Sequence, residues 1–220
     1  MRHLTRWRLF VLPVLVGLMA LSACGCQWLT AYFMADRHPK KEVKAEYELT
    51  AEKLVIIPYA GTEILFSDST LTVEIAFNMV NEIVRNLGPK KVMTIVHPAE
   101  VNRWQESTLE WPNMSLTDMA KAFGADTVLY VELEHYSTVE EHSANLYRGR
   151  VSARIQVARL SAPQNPVYTT TVETVYPEDM PVGMTGTTEG AVRRVTNIVF
   201  ANQVIQKFYN HQVEIRGAAQ

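Results

Sequence analysis

"MAKAFGADTVLYVELEHY", Met119 to Tyr136, decides the fold because its period changes in the middle. Up to Phe123 the spacing is helical, and Gly124 supplies the residue that ends such a helix in a left-handed turn. From Thr127 the pattern alternates, which predicts a strand with Leu129, Val131, Leu133 and His135 on one face and Tyr130, Glu132, Glu134 and Tyr136 on the other. A strand with one wet face suggests an antiparallel partner. "RGRVSARIQVARL" fits, with Val151, Ala153, Ile155 and Val157 inward and Arg150, Ser152, Arg154 and Gln156 outward, so that Glu132 and Glu134 face Arg150 and Arg154. "VYTTTVETVY", rich in β-branched and aromatic residues, completes a meander.

Upstream, the helix before Gly124 starts at "SLTD", where Ser115 and Asp118 have capping-box spacing. The unalternating runs Leu54–Tyr59, ended by Pro58 and Gly61, and Val92–His97 read as strands covered on both faces. Between them Leu71, Ile75, Ala76, Met79, Val80, Ile83, Val84 and Leu87 recur at helical spacing, and Gly88-Pro89 stops the helix. Pro98 opens a short helix carrying Val101 and Trp104. A last helix, Thr188 to Tyr209, shows a stripe of Val192, Val195, Ile198 or Val199, Ile205 and Phe208. The order β-α-β-α-α-β-β-β-α predicts an α/β (α+β) domain, a mixed β-sheet covered by helices, with the second strand parallel to the first through a right-handed crossover.

The amino terminus has a different character. Arg2, Arg6 and Arg8 precede an apolar run, Leu9 to Leu21, that is shorter than the ~20 residues a membrane-spanning helix needs. Small residues Ser22 and Ala23 follow, then Cys24 and Cys26. A disulfide between two cysteines this close would strain its geometry, and neither a C-x-x-C pair nor a set of zinc ligands is present. The tetrad Leu21-Ser22-Ala23-Cys24 resembles the lipobox of bacterial lipoproteins, which implies cleavage before Cys24 and acylation of its thiol. The expected organisation is a signal peptide over 1–23, a lipidated start and spacer over 24–48, a single α/β domain over 49–212 and a tail over 213–220. Trp28, Leu29, Tyr32, Phe33 and Met34 form an aromatic patch suited either to lipid headgroups or to packing on the domain. Removing residues 1–23 takes three of the 21 basic residues, leaving 18 against 23 Asp and Glu. That acidic balance without a basic cluster argues against nucleic acid as a partner.

The runs "LVIIPY", "VMTIVHP", "MAKAFGADTVLYVELEHY" and the strand after "YRGR" are similar to lipoprotein domains related to CsgG of the curli secretion system and to the N-terminal domain of TolB, where a helix ending in Gly-Ala-Asp feeds a central strand as Gly124-Ala125-Asp126 do here. The resemblance implies a non-enzymatic envelope protein that scaffolds, assembles or assists export. The sequence lacks the paired lipid-facing hairpins of a secretion pore.

Three places could hold chemistry. His135 and His142 lie among Glu132, Glu134, Glu140 and Glu141, yet alternation sends His135 away from Glu132 and Glu134. His97 ends a strand with Glu100 nearby, without a nucleophile to serve. Gly183 to Gly190 precedes a helix but has no phosphate-loop lysine, and Thr187 or Thr188 as a cap explains it. The reading is therefore a lipid-anchored, non-catalytic envelope protein, placed at the outer membrane and facing the periplasm, with no metal and no cofactor. It binds an envelope protein or its own copies through Tyr130, Glu132, Glu134, Tyr136, Arg150 and Arg154. A second possible surface is the last helix around Arg193, Arg194, Asn197 and Lys207. The alternative is a small periplasmic hydrolase or metal-dependent enzyme using His135 and His142, or His97.

Overall fold

A computed structural model describes residues 40–214 except 144, 163–165 and 181. The signal segment, Cys24 and the aromatic patch at 28–34 lie outside the described residues. The chain divides into a unit of residues 44–211 and a second unit of residues 1–43 with 212–220. Strands β1 (Lys40–Val43) and β7 (His211–Glu214) pair as a separate two-stranded ladder. The main unit starts ahead of Leu49. Tyr47 stacks on Tyr168 at 5.2 Å, and Glu46 accepts hydrogen bonds from Tyr168 and Lys207, so these residues belong to the body and not to the spacer.

The body is built around one five-stranded sheet. Its members are β2 (Ala51–Ala60), β3 (Val92–Ile95), β4 (Thr127–Val139), β5 (Tyr147–Arg159) and β6 (Tyr168–Tyr176), in the order β3-β2-β4-β5-β6. The β2 strand runs parallel to both neighbours, whereas β4, β5 and β6 form the expected antiparallel meander. Helices α1 (Thr62–Ser67) and α2 (Leu71–Asn86) lead from β2 to β3, and α3 (Pro98–Ser107), a 3-10 turn (Trp111–Asn113) and α4 (Leu116–Ala122) lead from β3 to β4. Helix α5 (Glu189–Gln206) follows the sheet.

Two apolar layers hold the sheet. On one face Ile75, Met79 and Ile83 of α2 and Phe200, Val204 and Ile205 of α5 meet Ile56, Val131 and Ile155, all fully buried or nearly so. On the other face Val101 of α3 and Met119, Ala120 and Phe123, at α4 and its end, cover Val55, Ile57 and Val128. Burying each of the larger side chains contributes roughly 1.5–3 kcal/mol. Helix α5 turns slightly from its expected stripe: Phe200 and Val204 face the sheet, and Ile198 is exposed.

The Gly124-Ala125-Asp126 motif works as a staple between α4 and the sheet. Gly124 has φ +56°, which favours glycine, and Ala125 N–H closes the helix end on the Ala120 carbonyl. Asp126 then donates its N–H to the Lys53 carbonyl while its Oδ1 accepts the Lys53 N–H at 2.6 Å. Lys53 Nζ reaches back to the Phe123 carbonyl at 2.6 Å. Asp126→Ala should therefore lower stability by about 1–2 kcal/mol in a denaturant titration, since the start of β2 loses a charged acceptor.

Two features differ from the alternation in the sequence. Pro58 does not end β2: it pairs in register with Val131 and the strand runs on to Ala60. The Leu54 carbonyl accepts from Val96 on the β3 side, so by alternation Pro58 also turns its backbone to that side, beyond the end of the four-residue β3. No ladder partner is needed there, and a missing N–H costs nothing. The second feature is a bulge in β4 between Leu133 and His135. It inserts an extra residue and exchanges the faces that follow.

Candidate functional site

The bulge reorganises the row of outward side chains expected from alternation. Before it, Glu132 is in register with Arg154; after it, His135 pairs with Ser152 and Tyr136 with the inward Val151. Tyr136 therefore lies on the face covered by α2 and α5, where its hydroxyl donates to Asn197 Oδ1 at 2.9 Å. Burial first, then the Asp68 carboxylate, pushes its phenol well above the usual tyrosine range. His135, expected inward, is on the outer face. Tyr130 keeps the outer face but is only 9% exposed, packed with Ile57 and Phe123. Burial, with Glu132 and Tyr59 adding repulsion, also raises its pKa.

What remains exposed is a three-member charge row. Arg154 bonds Glu134 at 2.8 Å and Glu132 at 3.4 Å. Arg150 turns instead to Glu140 at the hairpin end, where Arg148 also approaches. The expected partnership of Arg150 with Glu132 and Glu134 is thus replaced by a separate cluster one step up the hairpin.

The histidines are dispersed. His97 caps α3, its Nδ1 accepting the Ala99 N–H at 3.3 Å, and its ring meets Phe77 edge-on. His142 sits exposed in the hairpin turn at φ 61°. Among the described residues no group of three His, Cys, Asp or Glu side chains is arranged to hold a metal ion. Thr188 caps α5 by accepting the Ala191 N–H at 3.2 Å, and Met184 pairs with Tyr147, which accounts for the glycine-rich loop as a structural joint. On α5, Asn197 is fully buried and donates to Glu74, Arg193 pairs with Asp68 and Glu74, and Lys207 pairs with Glu46. Of that proposed surface, Arg194 is the exposed member.

One feature with room for a ligand has no motif to announce it. The connection leaving β2 crosses one face of the sheet and the connection leaving β3 crosses the other, so a crevice opens at the carboxyl ends of these parallel strands, the usual place for sites in open α/β sheets. A cleft of about 430 Å³ lies there, lined by Tyr59, Leu65, Thr72, Gln105, Glu106 and Trp111 among others. The shortness of β3 creates it. Gln105 Nε2 fills the vacated position by donating to the Pro58 carbonyl at 2.9 Å, and the Tyr59 and Trp111 rings meet edge-on at 5.6 Å. Tyr59 is in register with Glu132, so the cleft adjoins the exposed charge row. A proline late in an apolar strand, followed by tyrosine, was the available signal in the sequence.

No protein-family model matches this sequence, and no curated protein does. Among solved structures, the lipoprotein GNA1162 of Neisseria meningitidis is 14% identical over 70% of this chain and 98% of its own, with a TM-score of 0.43. A PelC dodecamer from Paraburkholderia phytofirmans is 12% identical over 74% of this chain and 96% of its own, with a TM-score of 0.41. Similarity at this level carries neither assembly nor activity over to this chain.

Proposed function

We propose that this chain is a lipid-anchored, non-catalytic envelope protein that acts as a scaffold or accessory in assembly, export or transport through contacts with other proteins. The observation that carries this reading is the order of features at the amino terminus: three arginines, an apolar run too short to span a membrane, then Leu21-Ser22-Ala23-Cys24. Acyl chains on Cys24 each bring about 0.8 kcal/mol of membrane affinity per buried methylene, so an anchored body needs no spanning helix. Among the described residues no helix is long and apolar enough to cross a membrane.

The body supports a binding role. His97 is used as a helix cap, and Glu132, Glu134 and Glu140, three of the carboxylates expected around His135 and His142, are engaged by Arg154 and Arg150. The similarity of the strand and Gly-Ala-Asp pattern to the CsgG and TolB-related lipoprotein domains points the same way, toward the periplasmic side of the outer membrane. Cys24→Ala should release the protein from the membrane fraction or leave uncleaved precursor, as read by fractionation and immunoblotting. Unchanged membrane retention of that variant would contradict the anchor.

A further inference from the structure

We propose that the cleft at the carboxyl end of β2 docks a peptide segment of a partner protein in which a large apolar side chain lies next to Lys or Arg. The proposal rests on the protein-contact reading above and specifies its site. Three observations converge on this occupant. The first is apolar exposure. Phe66 is 93% and Leu109 88% exposed, more than any other large hydrophobic side chain of the described residues. Phe66 adjoins Leu65 and Leu109 lies two residues before Trp111, so both belong to segments that line the cleft. Exposed side chains of this size beside a concave aromatic surface are what a protein partner covers.

The second is charge. The lining segments 59–73 and 102–112 carry Glu63, Asp68, Glu106 and Glu110 against a single cation, Arg103. Asp68 is taken by Arg193, and Arg103 turns back to the Ala99 carbonyl. Glu106 accepts from Asn102 and Glu110 from Asn113, both neutral amides. Glu106 lines the cleft, Glu63 and Glu110 belong to the segments that line it, and none of the three has a cationic partner among the described residues; this acidic balance repels phosphate and carboxylate ligands and favours Lys or Arg. The third is the aromatic wall. Tyr59 and Trp111 offer faces on which an aliphatic chain, a proline or a guanidinium packs.

The test pans a phage-displayed random dodecapeptide library on the full-length protein in detergent micelles, with counter-selection on the Phe66→Ser/Leu109→Ser variant. Both positions are solvent-exposed, so that variant should melt like the parent. Recovered peptides are expected to place Lys or Arg beside Leu, Phe, Trp or Pro. Synthetic copies should bind the double variant at least about tenfold more weakly. They should also weaken for Glu106→Gln/Glu110→Gln and on raising sodium chloride from about 50 to about 500 mM. Absence of enrichment, acidic or uncharged consensus peptides, or affinity indifferent to these variants would overturn the proposal. Binding of chitohexaose in place of peptides would overturn it too and reassign the cleft to a glycan. A silent cleft on a protein still acylated at Cys24 rejects the docking site alone, and peptide binding by a protein lacking the acyl group rejects the anchor alone.

Discussion

Val131→Asp is expected to leave the body unfolded or nearly so. Val131 has no solvent exposure, lies between Pro58 of β2 and Ile155 of β5, and faces the layer under α2 and α5. A carboxylate there has no cation to meet, and burying it without a partner costs at least about 4 kcal/mol, a large part of the ~5–15 kcal/mol that holds an ordinary domain together. Circular dichroism melting of the parent and the variant reads the effect. Val131→Ala, which only leaves a cavity, should cost about 1–3 kcal/mol and keep a cooperative transition. A Val131→Asp protein that melts with the parent would mean that β4 does not present this residue to the core.

Among the glycines of the described residues, Gly149 should tolerate an added methyl group least, and Gly149→Ala should be strongly destabilising. A Cβ built on Gly149 in β5 would come within 1.8 Å of Thr196 Oγ1 and 2.7 Å of Thr196 Cβ on α5. Thr196 cannot step aside. It is fully buried and its hydroxyl donates to the Val192 carbonyl one turn back along the helix. The helix must shift off the sheet or the strand must bend, at a cost of about 2–3 kcal/mol. Thr196→Gly in the same chain should recover part of that loss, because the two positions are in direct contact and their effects are coupled. Equal denaturant midpoints for the parent and Gly149→Ala would show that α5 does not pack this closely on β5.

Elements whose identity depends on local pattern were legible in the sequence: Leu71, Ile75, Ala76, Met79 and Ile83 of the α2 stripe, the Ser115 cap, the left-handed Gly124 and the inward set Val151, Ala153, Ile155 and Val157 all stand where periodicity puts them, while Val84 of the expected stripe is exposed. What could not be read depends on neighbours. A bulge is a mismatch between two strands, so nothing inside "VELEHY" announces that Tyr136 turns inward and His135 outward. Pro58 reads as a terminator until one knows that β3 stops short and leaves its side of β2 empty. The cleft shares that origin, for it exists only where two connections part across the sheet, and Tyr59, Gln105 and Trp111 come together from segments with no common motif. Helix α1, with no buried residue, has no apolar stripe to betray it.

Anchoring through Cys24 is the claim on which the functional reading stands, and the mass of the amino-terminal peptide from membrane-fraction protein tests it most directly. The account predicts a mature chain that begins at Cys24 and carries a thioether-linked diacylglyceryl group. A chain that begins elsewhere, or one that begins at Cys24 with a free thiol, would contradict it.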